Sequence, residues 1–183
     1  MTRAAISVTR YARFFALAGV RRVLDYGAGR LRNSLYLAEQ GFQVYAADLP
    51  EQVKALSRHP GAASLAGLLS VRELPQTSLG VDLVLSTYVF NIIATREKRG
   101  EYLENVVRNL KPGGFFLIEV NKSSDETRCT SVLRHYPQCD GKGKNYRSDE
   151  LDRLLVPLNF RRICHYYSSH ALAAVYRDER SLH

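Results

Sequence analysis

Val23-Leu24-Asp25-Tyr26-Gly27-Ala28-Gly29, answered by Asp48, decides the fold of this chain. Val23-Leu24-Asp25 reads as a short strand. Two glycines then turn the chain, and Leu31, Leu35 and Ala38 recur at helical spacing. Gly41 is placed to end that helix. Gln43–Ala47 reads as a second strand ending at Asp48, and Pro50 and Glu51 suit the first turn of another helix. Strands alternating with helices argue for a parallel sheet covered by helices. Glycine at a strand-to-helix turn lets a ligand approach the backbone closely. The helix start offers free N–H groups to an anion. An acid about 20 residues further on is placed to hold ribose hydroxyls. Asp48 follows Gly29 by 19 residues and fits that spacing.

Downstream, Leu68–Val71 is a short third strand. Val81-Asp82-Leu83-Val84-Leu85-Ser86-Thr87 is the fourth and reads as buried on both faces. Thr95 caps a helix whose Tyr102, Leu103, Val106, Val107 and Leu110 form one apolar face. Pro112-Gly113-Gly114 breaks the chain before a fifth strand, Phe115–Val120. Asn121–Arg147 shows no period, and a loop of that length marks a substrate-recognising segment. Ser148 caps a last helix closed by Pro157. Phe160–Tyr167 and Ala171–Tyr176 are joined too tightly for a crossover helix, so they pair antiparallel. The expected architecture is α/β: one domain over residues 1–183, with a doubly wound, Rossmann-like, seven-stranded, mostly parallel sheet and an antiparallel strand near one edge. A short helix is expected within residues 1–22 and a substrate loop at 121–147.

Composition sets the outer limits. The chain has 183 residues, 45% hydrophobic and 24% charged, which is ordinary globular usage and excludes disordered and coiled-coil classes. No apolar run approaches the roughly 18 residues of a membrane span. The net charge of +8 invites a nucleic-acid reading, but no Lys/Arg block of five or more occurs and the excess is spread along the chain. Cys129, Cys139 and Cys164 form no CxxC pair, so a reducing compartment is expected. Met1–Val20 lacks the apolar core of a secretory signal, which makes a cytoplasmic protein the simplest expectation. Cys129, His135 and Cys139 lack the tight pairs of a zinc site, and no metal is expected. Lys142-Gly143-Lys144-Asn145-Tyr146-Arg147 reads as a basic, flexible, solvated loop, with a lid over an anionic substrate as its functional alternative. His165, Tyr166 and Tyr167 alternate in a terminal strand, where core packing or edge exposure is the default.

Asp25 two residues before Gly27, the Val81–Thr87 strand and Leu110-Lys111-Pro112-Gly113-Gly114 occur in an order that resembles the class I S-adenosylmethionine-dependent methyltransferases. The resemblance runs from about Val23 to Val120, with a tail from Ser148 to Tyr176. Within that superfamily, Arg32-Asn33-Ser34-Leu35-Tyr36-Leu37-Ala38, then Gly41-Phe42-Gln43-Val44, and the strand end Leu85-Ser86-Thr87 resemble the tellurite-resistance methyltransferase group. The resemblance implies S-adenosylmethionine as cofactor. It implies that Asp25, Gly27, Ala28 and Gly29 cradle the methionyl end, that Asp48 takes the ribose hydroxyls and that Leu49 lies against the adenine. Ser70 and Val71 then stand at the adenine edge and Ser86 near the sulfonium. Two positions depart from the pattern. Ser70 stands where the family often has an acid, and Leu31, after Arg30, stands where a third glycine normally sits. A side chain at Leu31 either crowds the cofactor or points into the sheet as the first core residue of the helix.

Methyl transfer from a sulfonium is an in-line displacement, so positioning and desolvation can supply most of the rate and a general base is optional. The candidates for contact with the acceptor follow the strand ends: Tyr88 and Asn91 after the fourth, Asn121 and Lys122 after the fifth. Tyr88 also offers its π face to a positive sulfonium. A small-molecule acceptor is the leading expectation. A nucleic-acid (RNA) methyltransferase is the alternative suggested by the charge. Ser86-Thr87-Tyr88-Val89 does not resemble the Asn/Asp-Pro-Pro-aromatic motif, however, and no Pro-Cys pair occurs. A non-catalytic binding subunit is the third reading, suggested by Leu31 and Ser70. A dinucleotide oxidoreductase is disfavoured because Gly27-x-Gly29-x-x-Arg32 lacks the third glycine and the chain has no Tyr-x-x-x-Lys pair.

Overall fold

A computed structural model describes residues 3–122, 127–128 and 142–181. In chain order the elements are α1 (Ile6–Leu17), β1 (Arg22–Tyr26), α2 (Arg32–Glu39), β2 (Gln43–Asp48), α3 (Pro50–Leu56), β3 (Gly67–Ser70), β4 (Val81–Thr87), α4 (Arg96–Asn109) and β5 (Leu110–Asn121). They continue with β6 (Thr127–Arg128), β7 (Lys142–Gly143), α5 (Ser148–Leu155), β8 (Phe160–Tyr167) and β9 (Ala171–Asp178). Seven strands form one sheet in the order β3-β2-β1-β4-β5-β9-β8, and β6 pairs with β7 as a separate ribbon. The first five are parallel, β9 runs antiparallel to β5, and β8 runs antiparallel to β9.

Side-chain alternation along the strands explains the layers. Val23, Leu83, Leu85 and Leu117 face one side, where they pack with Val8 and Phe15 of α1 and Leu37 of α2. Leu24, Val84 and Phe116 face the other, against Leu103 and Val106 of α4 and Leu151 and Leu155 of α5. Burial on both faces accounts for the near-continuous apolar character of β4. Asp82 is its charged exception. The Asp82 carboxylate accepts the N–H groups of Arg21 (2.7 Å) and Arg22 (2.8 Å) and pairs with Lys111. It ties together the starts of β1, β4 and β5, at the end of the sheet away from the glycine turn. Burial works to raise its pKa, but Lys111 and the two N–H groups outweigh burial and hold it below the ordinary value.

The chain leaves β1 toward β2 and β3 and returns on the other side at β4. That reversal between β1 and β4 is the place where open α/β sheets bind ligands, outside the carboxyl ends of their strands.

Two of the boundaries differ from expectation in what they do. β5 begins at Leu110, opposite Val81, and its register resumes only at Leu83↔Phe115, so Pro112-Gly113-Gly114 forms an irregularity inside the strand. Ser148 is the first residue of α5, not its cap. Glu150 reaches back to accept the Arg147 N–H (2.9 Å), while the Ser148 hydroxyl accepts from Tyr167 (3.0 Å). Beyond β9, the Arg180 guanidinium pairs with Asp178 and donates to the carbonyls of Val107 (2.9 Å) and Leu110 (3.0 Å), fastening the end of β9 to the end of α4.

Candidate active site at the strand ends

The turn after β1 is held from three sides. The N–H groups of Gly27 and Ala28 both donate to the Ala47 carbonyl, at 2.8 and 3.1 Å. The Gly29 N–H donates to Asp48 Oδ2 (2.7 Å), and the Gly29 carbonyl accepts from Gln52 Nε2 (2.5 Å). Asp48 Oδ1 accepts the Leu49 N–H (2.7 Å). Gln52 carries no motif and is legible only from the structure. Gly27 has φ +95°, and a Cβ there would stand 2.2 Å from Val89 Cγ2. Glycine is therefore required twice, by conformation and by space. The close approach expected of a ligand at Gly27 is made in this structure by Val89.

Leu31 takes the second of its two expected positions. It is fully buried, packs with Ala28, Ala46 and Leu56, and adopts a left-handed backbone with φ +61° as it leads into α2. The left-handed conformation costs about 1–2 kcal/mol. Burying a leucine contributes about 1.5–3 kcal/mol, which offsets it. The missing third glycine thus becomes a core contact.

Asp25 and Asp48 are both buried. Desolvation pushes Asp25 up to about 6, against the lowering effect of the Ser34 hydroxyl, which donates to its Oδ2 at 2.6 Å. Desolvation also raises Asp48, opposed by the Gly29 and Leu49 N–H groups. Asp25 Oδ1 has no hydrogen-bond partner among the described residues. Among the described residues, neither amide atom of Asn91 nor the Tyr146 hydroxyl has one either. A buried polar atom left without a partner costs about 1–3 kcal/mol, so such atoms are few and call for a ligand or water. All three residues lie at or beyond the carboxyl ends of the sheet. Arg162 Nη1 on β8, the far edge strand, is another such atom among the described residues.

Tyr146 departs from expectation. The Lys142–Arg147 stretch reads from sequence as a solvated loop, yet Tyr146 is 1% exposed. The Lys144 N–H donates to the Asn91 carbonyl (2.8 Å) and the Tyr146 N–H to the Asn121 carbonyl (3.0 Å). The Tyr146 ring lies 5.4 Å from that of Phe90. This segment is a strap across the ends of β4 and β5. The charges of Lys144 and Arg147 remain on its outer side. Cys129, His135 and Cys139 lie outside the described residues. Among the described residues no group of three His, Cys, Asp or Glu side chains could hold a metal.

On the adenine side, Val71 donates its N–H to the Asp48 carbonyl (2.9 Å). Ser70 donates its N–H to Glu73 Oε2 (2.5 Å), so an exposed carboxylate stands beside the position where the acid is missing. On the acceptor side, Tyr88 has φ +58° and donates its hydroxyl to Glu119 Oε1 (3.0 Å) and its N–H to the Glu119 carbonyl (2.8 Å). The Ser7 hydroxyl donates to Glu119 Oε2. Glu119 was not among the sequence candidates. Its signal was there, as the one charge within Phe115–Val120. Asn33 joins α1 to the end of β4, donating to Thr87 Oγ1 (2.8 Å) and accepting the Ala5 N–H (2.9 Å). The structure thus gathers Asp25, Ser86, Tyr88 and Asn91 at the strand ends. Asn121 contributes its carbonyl to the strap. Lys122 is engaged elsewhere, donating to the Ser168 carbonyl (3.2 Å) and lying over the Tyr167 ring.

A family profile described as tellurite resistance protein TehB matches residues 14–152. The chain belongs to the TehB family. It is thereby a member of the class I S-adenosylmethionine-dependent methyltransferase superfamily. A probable S-adenosyl-L-methionine-dependent methyltransferase TehB of Haemophilus influenzae is 29% identical over 111 residues, covering 59% of this chain and 38% of that protein. A putative methyltransferase YqeM of Bacillus subtilis is 29% identical over 107 residues, covering 56% and 43%. The aligned stretch spans less than half the length of either relative. The Burkholderia thailandensis 1,6-didemethyltoxoflavin-N1-methyltransferase, solved with S-adenosylhomocysteine, superposes with a TM-score of 0.70 over 96% of this chain and 79% of its own, at 22% identity. That likeness shows the shared fold.

S-adenosylmethionine is the cofactor of this superfamily, and the residues of the TehB-family chain fit it. The unpartnered Asp25 oxygen suits a cation. Asp48 retains lone pairs for a diol, because each carboxylate oxygen accepts only one N–H here. No helix among the described residues is long and apolar enough to cross a membrane.

Proposed function

We propose that this chain transfers a methyl group from S-adenosylmethionine to a small-molecule acceptor. When bound, the cofactor supplies an electrophilic methyl group on a sulfonium. Gly27, Ala28 and Gly29 hold the backbone in a fixed turn, braced by Asp48 and Gln52, so the cradle for the methionyl end needs no reorganisation. Asp25 Oδ1 accepts from the methionyl ammonium. Asp48 accepts from the ribose hydroxyls. Leu49 lies against the adenine, with Ser70, Val71 and the Glu73 carboxylate at its edge. Ser86 stands at the sulfonium.

The acceptor lies under the strap, between Tyr88 and Asn91. Burial, reinforced by the neighbouring Glu119 charge, raises the pKa of Tyr88 well above the ordinary tyrosine value. It stays protonated at neutral pH and orients, but takes no proton. The Asn91 amide, with donor and acceptor both free, fixes the acceptor's orientation. Rate comes from alignment and from exclusion of water.

The observation that carries this reading is the set of unpartnered buried polar atoms at the switch point. A chain with a degenerate, filled site has no reason to keep them. The burial of Leu31 away from the turn removes the main argument for a non-catalytic relative. The test is to incubate the protein with methyl-labelled S-adenosylmethionine and a fractionated cell extract. Label in the low-molecular-mass fraction supports the reading. Label confined to nucleic acid supports the alternative.

A further inference from the structure

A closed circuit of hydrogen bonds runs through Tyr88, and two of its members, Ser7 and Asn33, belong to helices on one face of the sheet. Tyr88 follows β4 with a left-handed backbone (φ +58°), a conformation that an aromatic residue keeps only where its surroundings enforce it. Its hydroxyl donates to Glu119 Oε1 (3.0 Å), and Glu119 Oε2 accepts from the Ser7 hydroxyl in the first turn of α1. Two residues before Ser7, the Ala5 N–H donates to Asn33 Oδ1 (2.9 Å). Asn33 Nδ2 donates in turn to Thr87 Oγ1 (2.8 Å), and Thr87 is the covalent neighbour of Tyr88. The Ala5 N–H can only donate, so it fixes which way the Asn33 amide points. A bond from the Tyr88 N–H to the Glu119 carbonyl (2.8 Å) crosses the circuit. Ser7 is 0% exposed and Asn33 6%, so water does not compete for their bonds. The Arg32 guanidinium adds a further tie on the same side by donating to the Arg3 carbonyl (3.2 Å).

We propose that Ser7 and Asn33 are positioning residues for methyl transfer, holding Tyr88 in its pose toward the acceptor from two sides. This rests on the methyl-transfer reading. Both side chains are engaged within the circuit and act through other residues, Ser7 through Glu119 and Asn33 through Thr87. A left-handed tyrosine relaxes toward the ordinary backbone regions once its ties are cut. The Tyr88 ring then leaves its place beside the acceptor, and a misplacement of about 1 Å is enough to slow a transfer that depends on alignment about a hundredfold. The circuit is a series connection. Cutting it at Ser7 or between Asn33 and Thr87 releases Tyr88 in the same way, and cutting both adds little. Side chains that merely stabilise their own elements would contribute independently, and their effects would add.

Fluorine NMR of the protein labelled with 3-fluorotyrosine reads the pose directly. Tyr88→Phe assigns the Tyr88 line among the eleven tyrosines. Ser7→Ala and Thr87→Val each remove one hydroxyl and cut the circuit at separate places. Each is expected to shift or broaden the Tyr88 line while leaving S-adenosylhomocysteine affinity unchanged in calorimetry. Each is also expected to lower kcat for label transfer from S-adenosylmethionine into a cell extract about tenfold, at unchanged KM for S-adenosylmethionine. The double variant is expected to lose about tenfold as well, where independent effects would give about a hundredfold. Thr87→Ser keeps the hydroxyl and is expected to retain the wild-type line and rate. If one single variant does not fold, the line and the rate of the other decide. An unmoved Tyr88 line overturns the proposal and leaves the methyl-transfer reading standing. So does a moved line with an unchanged rate, and so do losses that multiply in the double variant. If the wild type binds no S-adenosylhomocysteine or labels nothing in the extract, the methyl-transfer reading itself fails, and this proposal with it.

Discussion

The N–H of Gly29 donates to Asp48 Oδ2 at 2.7 Å, so the turn after β1 and the acid after β2 form one unit before any ligand arrives. The Gln52 amide completes it by donating to the Gly29 carbonyl. Gln52→Ala removes that donor and is expected to cost about 1 kcal/mol of stability. It is also expected to weaken S-adenosylhomocysteine binding, because the turn is no longer pre-set. Urea unfolding and calorimetry on one preparation report the two effects.

Gly27→Ala should be strongly destabilising, since its φ is +95° and the new Cβ would meet Val89 Cγ2 at 2.2 Å. The conformational part alone is about 1–2 kcal/mol. Val89→Ala removes the clashing methyl groups but not the conformational cost. The double variant is therefore expected to recover part of the loss, which a double-mutant cycle in urea would measure. Full additivity would show that Val89 does not occupy this space.

Asp25 gives a pH signature. Its pKa is raised from 3.8 to about 6, chiefly by burial. Between those values the folded state keeps a proton that the unfolded state has released. Stability from this group is therefore greatest below pH 4, falls as pH rises to about 6 and is level above. At about 1.4 kcal/mol per pH unit the fall is about 3 kcal/mol. Asp25→Asn cannot titrate. Its stability relative to wild type is expected to rise between pH 4.5 and 7, as followed by urea unfolding. Because the methionyl ammonium pairs best with the ionised acid, S-adenosylhomocysteine affinity of the wild type should increase over the same range.

Arg180→Ala leaves the Asp178 side chain, which is fully buried, without its cation and strips a donor from the carbonyls of Val107 and Leu110. Breaking a buried pair in this way costs about 3–5 kcal/mol. Asp178→Asn in the same background removes the stranded charge and is expected to restore part of the midpoint in thermal unfolding.

Much of this was legible in the sequence because it rests on local rules. Gly27, Gly29 and Asp48 announce a turn and an acid by residue type and spacing, and short, nearly continuous apolar runs announce β4 and β5. The legible part stops where side chains meet across long separations. Gln52 is 23 residues from the carbonyl it braces, and Ser7 is 112 from Glu119. Tyr146 reads as part of a basic loop until its ring is seen on Phe90. Leu31 was ambiguous for a different reason. Whether a side chain at that position crowds the ligand or joins the core depends on its backbone angle, which the left-handed φ of +61° settles.

The central claim is that the strand-end cradle holds S-adenosylmethionine. Calorimetric titration of the folded protein with S-adenosylhomocysteine tests it most directly. The expected result is saturable one-to-one binding, weakened by about 1.5–3 kcal/mol in Asp48→Ala through loss of charge-assisted hydrogen bonds. No detectable binding by the folded wild-type chain, or equal binding by Asp48→Ala, would contradict it.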